Sequence, residues 1–217
     1  MTVNVKICGI TDKEALLAAE AAGASHIGLM FYAPSPRAVD LALARDLAAR
    51  VPAGIMRVGV FVDPEDALLD TTLEAVPLDY VQLHGSESRE RVAEIKRRTG
   101  KPIIKAVPVA NSTDVQIAHT FEGVADFLLF DAKPPKSRPN SLPGGTGLSF
   151  DWRLLSDEVW PVPWFLAGGL TAENVSVAIM KTGARFVDVS SGVEDEPGKK
   201  NPDKIRAFVE AAQGAQE

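Results

Sequence analysis

The sequence predicts a single-domain α/β protein over residues 1–217, folded as a closed (β/α)8 TIM barrel. Eight short apolar runs recur, beginning near Val3, His26, Met56, Asp79, Pro102, Asp126, Val162 and Phe186, and a helix-like stretch follows each. Strands alternating with helices build a parallel sheet under helical cover, and eight such units in 217 residues sit at the small end of the barrel range. The spacing leaves no room for a linker. Nothing like Gly-x-Gly-x-x-Gly follows the first run, which disfavours an open dinucleotide-binding sheet.

The first run, Val3-Asn4-Val5-Lys6-Ile7-Cys8-Gly9-Ile10, reads as a strand ending in the only cysteine. Alternation puts Lys6 and Cys8 on one side and Val5 and Ile7 on the other. A Lys/Cys side makes sense if it faces a cavity. There the ammonium would lower the thiol's pKa and supply thiolate. Thr11 at N-cap and Glu14 at N3 predict a capping box for the first helix. After the second run, two prolines in Ala33-Pro34-Ser35-Pro36-Arg37 hold one arginine rigidly, which suits bidentate binding of a carboxylate. In the next helix Leu43, Leu47 and Val51 share a face, with Arg45 and Arg50 off it.

Asp63-Pro64 predicts an N-cap with Pro at N1, and Asn201-Pro202 repeats the device. Ser86-Glu87, Ser112-Thr113-Asp114 and Thr171-Ala172-Glu173 predict further N-caps, and Gly23, Gly100 and Gly183 mark helix ends. His84-Gly85 closes the fourth strand. A lone His is more often structural than catalytic; at a strand end it points to a substrate contact, and no second His lies near enough to build a metal site. Asp131 closes the buried Phe127-Leu128-Leu129-Phe130 run and could be a carboxylic acid of raised pKa, ready to donate a proton. The long aperiodic stretch after it, within 131–148, reads as a lid, because loops of that length in a compact domain are usually functional.

Ala167-Gly168-Gly169-Leu170 and Val189-Ser190-Ser191-Gly192 follow the seventh and eighth strands. Small residues there let backbone amides approach an anion, and a phosphate site from these two loops recurs in barrel enzymes. Gly144-Gly145-Thr146-Gly147 could add donors to the same anion. The residues alone therefore describe a barrel that binds a phosphorylated, carboxylate-bearing small molecule. It carries a thiol base and a carboxylic acid, a pairing that suggests proton-transfer isomerisation or a related lyase.

A net charge of −6 argues against a nucleic-acid surface, and a single cysteine excludes an internal disulfide and fits a reducing compartment. No apolar run approaches the roughly 20 residues of a membrane span, and the start lacks a signal-peptide profile. The expectation is a cytoplasmic, soluble protein with no nucleic-acid or membrane partner, acting as monomer or homodimer.

The segments Lys6-Ile7-Cys8-Gly9-Ile10-Thr11, Gly28-Leu29-Met30-Phe31 with Ser35-Pro36-Arg37, Val81-Gln82-Leu83-His84-Gly85, Leu129-Phe130-Asp131 leading to Gly144-Gly145-Thr146-Gly147, Ala167-Gly168-Gly169-Leu170, Asn174-Val175 and Asp188-Val189-Ser190-Ser191-Gly192-Val193-Glu194 span almost the whole chain. Together they closely resemble the phosphoribosylanthranilate isomerase family of tryptophan biosynthesis. The cysteine segment, Ser-Pro-Arg and Asp131 are the specific part; glycine-rich anion loops alone are common among barrels.

The resemblance implies an Amadori rearrangement, without cofactor or metal, because the substrate's own iminium is the electron sink. It implies Asp131 as general acid and Cys8 as general base, with Arg37 on the anthranilate carboxylate. Gly145, Thr146, Gly168, Gly169, Ser190, Ser191 and Gly192 would hold the phosphate, and Lys6, Gln82, His84 and Asp188 would line the pocket around the ribose. Residues 133–143 match no family motif. A Schiff-base aldolase is the first rival, with Lys6 or Lys105 as nucleophile. An isomerase that also takes the analogous histidine-pathway substrate would use an aspartate where Cys8 stands. A non-catalytic sensor would have lost Cys8 and Asp131, and both are present.

Overall fold

Every second residue of the eight apolar runs turns inward, and that alternation closes the sheet on itself. The computed structural model describes residues 2–133, 144–145, 147–156 and 158–216. Strands β1 (Asn4–Cys8), β2 (His26–Met30), β3 (Met56–Phe61), β4 (Tyr80–Leu83), β5 (Ile103–Val109), β6 (Phe127–Ala132), β7 (Trp164–Leu166) and β8 (Phe186–Val189) form a closed parallel barrel in chain order. Closure runs through β1, where Lys6 lies opposite His26 of β2 on one side and Asp188 of β8 on the other. Helices α1 (Lys13–Ala21), α2 (Leu41–Arg50), α3 (Asp66–Ala75), α4 (Arg89–Thr99), α5 (Ser112–Ala118), α6 (Arg153–Ser156), α7 (Val175–Thr182) and α8 (Pro202–Gln213) follow the strands. Between β8 and α8 the chain adds an antiparallel ribbon, β9 (Glu194–Glu196) and β10 (Lys199–Lys200), which the apolar pattern did not announce.

The two strand faces build two apolar layers. Val5, Ile7, Ile27 and Leu29 face outward and pack on the helices, whereas Cys8, Val58, Val60, Ile104, Ala106 and Leu129 fill the barrel. At the N-terminal end, rings of His26, Tyr80, Phe127, Phe165 and Phe186 interlock, with adjacent centroids 5.0 to 5.9 Å apart along one side. This aromatic floor plugs the lower end, and the cavity lies at the C-terminal ends of the strands.

Several helix starts differ from expectation by one to three residues. Asp12, not Thr11, caps α1, its carboxylate accepting from the Ala15 amide at 2.8 Å. Thr11 instead donates its hydroxyl to the Gly198 carbonyl. Asp63 caps nothing: it holds φ 44° and accepts from the Ser86 amide, while α3 starts after Glu65 without a side-chain cap. Ser88, Asn111 and Asn174 stand at the starts of α4, α5 and α7 in place of the expected residues. In α2 the buried face is Ala44, Leu47 and Ala48, and Leu43 is exposed. Asn201 with Pro202, and the left-handed glycines Gly100 and Gly183, stand where expected. Among the described residues, no helix is long and apolar enough to cross a membrane.

Candidate active site

The open end of the barrel holds a cavity lined by Cys8, Met30, Tyr32, Ser35, Arg37, Val62, His84, Asp131, Gly144, Gly145, Asp188 and Ser190, about 470 Å³ counted out to solvent. A second hollow adjoins it, lined by Gly145, Gly147, Gly168, Gly169, Ser190, Ser191 and Gly192, with Asp131 and Asp188 on the shared wall.

Cys8 ends β1 with its side chain inward. Gly28 of β2 makes room for it: a Cβ there would lie 3.0 Å from Sγ. Below it Lys6, fully buried, donates to Asp188 Oδ1 at 2.7 Å. Burial lowers the Lys6 pKa, but Asp188 and Cys8 outweigh it and hold the ammonium above the ordinary lysine range. Burial pushes the Cys8 thiol up, and Lys6 opposes this without overcoming it. The expected thiolate-promoting effect of Lys6 is therefore incomplete, since Asp188 already engages that ammonium and adds repulsion of its own.

Asp131 stands one residue before the end of β6, on the opposite wall. Its Oδ1 accepts from the Ala132 amide at 2.8 Å, and its Oδ2 lies 3.2 Å from His84 Nε2. Gln82 holds the far side of that ring, with its amide nitrogen 2.8 Å from Nδ1. With the amide so oriented, Nδ1 accepts, and the ring proton sits on Nε2, aimed at Asp131. Gly144 lies directly over this pair; a Cβ there would come 2.5 Å from His84 Nε2 and 2.8 Å from Asp131 Oδ2. Lys6 and Gln82 sit one layer below the cavity and bear on it through Asp188 and His84.

Arg37 departs from expectation. Its Nε and Nη2 donate to Glu194 Oε1 and Oε2 at 2.8 and 2.7 Å, so the side-on edge of the guanidinium is already occupied. Nη2 also reaches the Gly145 carbonyl at 3.3 Å. Only Nη1 has no hydrogen-bond partner among the described residues, so Arg37 offers a ligand one nitrogen and not a fork.

The second hollow is built by contact between loops. A Cβ on Gly192 would fall 2.0 Å from the Leu170 carbonyl oxygen, so only glycine lets the two loops meet. Gly168 and Gly169 hold φ of 85° and 61°, a region that glycine enters without strain. Asn174 sets the first loop, accepting from the Thr171 amide and donating to the Gly169 carbonyl, each at 2.9 Å. Among the described residues the amides of Gly168, Gly169 and Gly192 donate to no protein acceptor. Free amides on a concave glycine surface suit an anion. Thr146 and most of the expected lid lie outside the described residues.

Lys105, the other lysine considered as an imine nucleophile, points out of the barrel. It is buried against Glu87 at 2.6 Å and the Gly85 carbonyl at 2.8 Å, with the Phe121 ring nearby. Neither it nor Lys6 is a free amine in the cavity. Sequence reasoning gave no site role to Glu194, Lys200 or Glu87. Their signal was slight: charges among other charges, with no apolar periodicity around them.

The family model described as N-(5'phosphoribosyl)anthranilate (PRA) isomerase matches residues 5–211. A relative from Paracoccus denitrificans, named N-(5'-phosphoribosyl)anthranilate isomerase, is 55% identical over 212 residues, covering 98% of each chain. A crystal structure of phosphoribosyl anthranilate isomerase in complex with reduced 1-(o-carboxyphenylamino)-1-deoxyribulose 5-phosphate superposes with a TM-score of 0.83 at 37% identity, covering 98% of this chain and 99% of that one. Monomers generated from the dimeric isomerase of Thermotoga maritima superpose with a TM-score of 0.83 at 37% identity and the same coverage.

Proposed function

The chain belongs to the N-(5'-phosphoribosyl)anthranilate isomerase family, an isomerase of tryptophan biosynthesis on a TIM barrel, and from that premise we propose how its own residues perform the reaction. The substrate is N-(5-phosphoribosyl)anthranilate and the product 1-(2-carboxyphenylamino)-1-deoxyribulose 5-phosphate. The observation that carries the reading is that Cys8 and Asp131 line one cavity from different strands, beside a hollow walled by glycines whose amides donate to no acceptor among the described residues.

Asp131 gives its proton to the furanose ring oxygen, the C1–O bond breaks, and the anilino nitrogen's lone pair forms the C1=N iminium. His84 Nε2–H then bonds to the carboxylate that remains. Cys8, as thiolate, takes the C2 proton, and those electrons neutralise the iminium to an enolamine. Cys8 returns a proton to C1 and the O2 proton passes to Asp131, which gives the ketone and restores both groups. The substrate is isomerised with no net gain or loss of atoms or electrons, so the reaction calls for no redox partner.

Arg37 Nη1 meets the anthranilate carboxylate. The amides of Gly168, Gly169 and Gly192, with Gly145, Thr146, Ser190 and Ser191, take the phosphate. The Lys6–Asp188 pair fixes the floor beneath Cys8 and the ribose, and Gln82 fixes His84. The chain works in the cytoplasm as monomer or homodimer on a small phosphorylated substrate, with no nucleic-acid or membrane partner.

The test is turnover of enzymatically generated substrate, followed by loss of anthranilate fluorescence, beside borohydride trapping. The reading expects rapid loss and no reduced lysine adduct. A borohydride-dependent label on Lys6 or Lys105 would replace it with imine chemistry, and tight product binding without turnover would replace it with a sensor.

A further inference from the structure

We propose that the β9–β10 ribbon is the specificity element of this site: Glu194 and Lys200 are positioning residues that aim Arg37 at a carboxylate-bearing aromatic amine. The proposal rests on the reading of Arg37 given above and goes beyond it, to residues that touch neither the substrate nor the proton-transfer pair.

Glu194 and Lys200 come from the two strands of the ribbon, and both are buried. Glu194 spends both oxygens on Arg37, and Oε1 also accepts from Lys200 at 2.6 Å. Burial raises the Glu194 pKa, but Arg37 and Lys200 more than reverse this, so the carboxylate stays ionised. Lys200 also donates to the Ser190 carbonyl at 3.1 Å, and Ser190 Oγ donates to the Cys8 carbonyl at 3.1 Å. One chain of bonds thus runs from Arg37 through the buried Glu194 and Lys200 to the half-buried Ser190 and the backbone of Cys8.

Two consequences follow. A bidentate carboxylate holds a guanidinium in one plane, so Glu194 decides where Nη1 points. The cluster joins two basic side chains to one carboxylate, burial works against the Lys200 charge, and Arg37 is the member of the three that lines the cavity. An incoming carboxylate pairs with its Nη1; a ligand without one leaves that nitrogen open. The ribbon is itself seated on the arginine loop. Gly198, at φ 88°, packs so closely on the Pro36 carbonyl that a Cβ would come within 2.4 Å. Thr11 ties the same turn to the loop after β1.

The experiment compares two substrates, N-(5-phosphoribosyl)anthranilate and N-(5-phosphoribosyl)aniline, which lacks the carboxylate. They are tested on wild type, Arg37→Ala, Glu194→Gln, Glu194→Asp and the Arg37→Ala/Glu194→Gln pair. A charged hydrogen bond of this kind governs roughly ten- to hundredfold in affinity. Glu194→Gln and Glu194→Asp should raise KM for the anthranilate substrate by about tenfold, spare its kcat and leave the aniline substrate unchanged. In the Arg37→Ala background Glu194→Gln should add nothing further. Equal loss on both substrates in the folded Glu194 variants would overturn the proposal, as would full additivity. If Arg37→Ala itself lost equally on both substrates, the reading of Arg37 would fail first, and that outcome is distinguishable from the others.

Discussion

Cys8, the proposed base, stands in a place that favours its protonated form. Burial pushes the thiol up, and the Lys6 ammonium that would pull it down is shared with Asp188 at 2.7 Å. The reaction needs the Cys8 thiolate and the Asp131 acid together, so kcat/KM should follow a bell-shaped pH profile whose limbs belong to the pair. Replacing the thiol with the lower-ionising carboxylate of Cys8→Asp should move the alkaline limb to lower pH. An unmoved alkaline limb would assign it to another group. The residue scale also shows what sequence reasoning reached and what it missed. Cys8, Arg37, His84, Asp131 and Asp188 were recognisable because polar groups at the ends of apolar strands need a cavity. The partner of Arg37 was not, because Glu194 meets it across 157 residues of sequence, and nothing local marks that encounter.

At the scale of elements the strands were readable almost to the residue, since alternation is a long-range pattern that tertiary packing reinforces. Helix starts were less so, because neighbouring Ser, Thr, Asp and Asn compete for one cap and only the incoming backbone angle decides. In α1 Thr11 lost to Asp12 because its hydroxyl is drawn to Gly198. Asp12→Ala should therefore cost about 1 kcal/mol in chemical denaturation, and Glu14→Ala well under that, since no capping box depends on it. The reverse order would restore the capping box. The ribbon escaped notice for a different reason: Glu-Asp-Glu and Lys-Lys carry no apolar alternation, and their inward charges are held by Arg37 and Ser190 rather than by a core.

The whole barrel depends on its plugged floor, and His26 is the member of that floor that titrates in the acid range. Burial lowers the His26 pKa to about 4, with the Lys6 ammonium adding to the effect. The native state keeps the ring neutral while the unfolded chain protonates near 6.5. The stability that follows is fully present above pH 6.5 and drains away as pH falls toward 4, by roughly 3 kcal/mol at the limit. His26→Phe should flatten that part of the acid-stability curve in denaturation titrations, and an identical slope would place the acid sensitivity elsewhere. Barrel closure itself was expected from eight repeated units. The structure adds how the lower end is plugged, with Cys8 and Asp131 lining the cavity at the other end.

The most direct test of the acid–base assignment is single-turnover fluorescence decay with saturating folded enzyme, in wild type, Cys8→Ser and Asp131→Asn. The account predicts that each substitution slows the decay by roughly a hundred- to ten-thousandfold, with product binding retained. Decay at the wild-type rate in either variant would contradict the assignment of that residue and, with it, the two-wall chemistry proposed for this cavity.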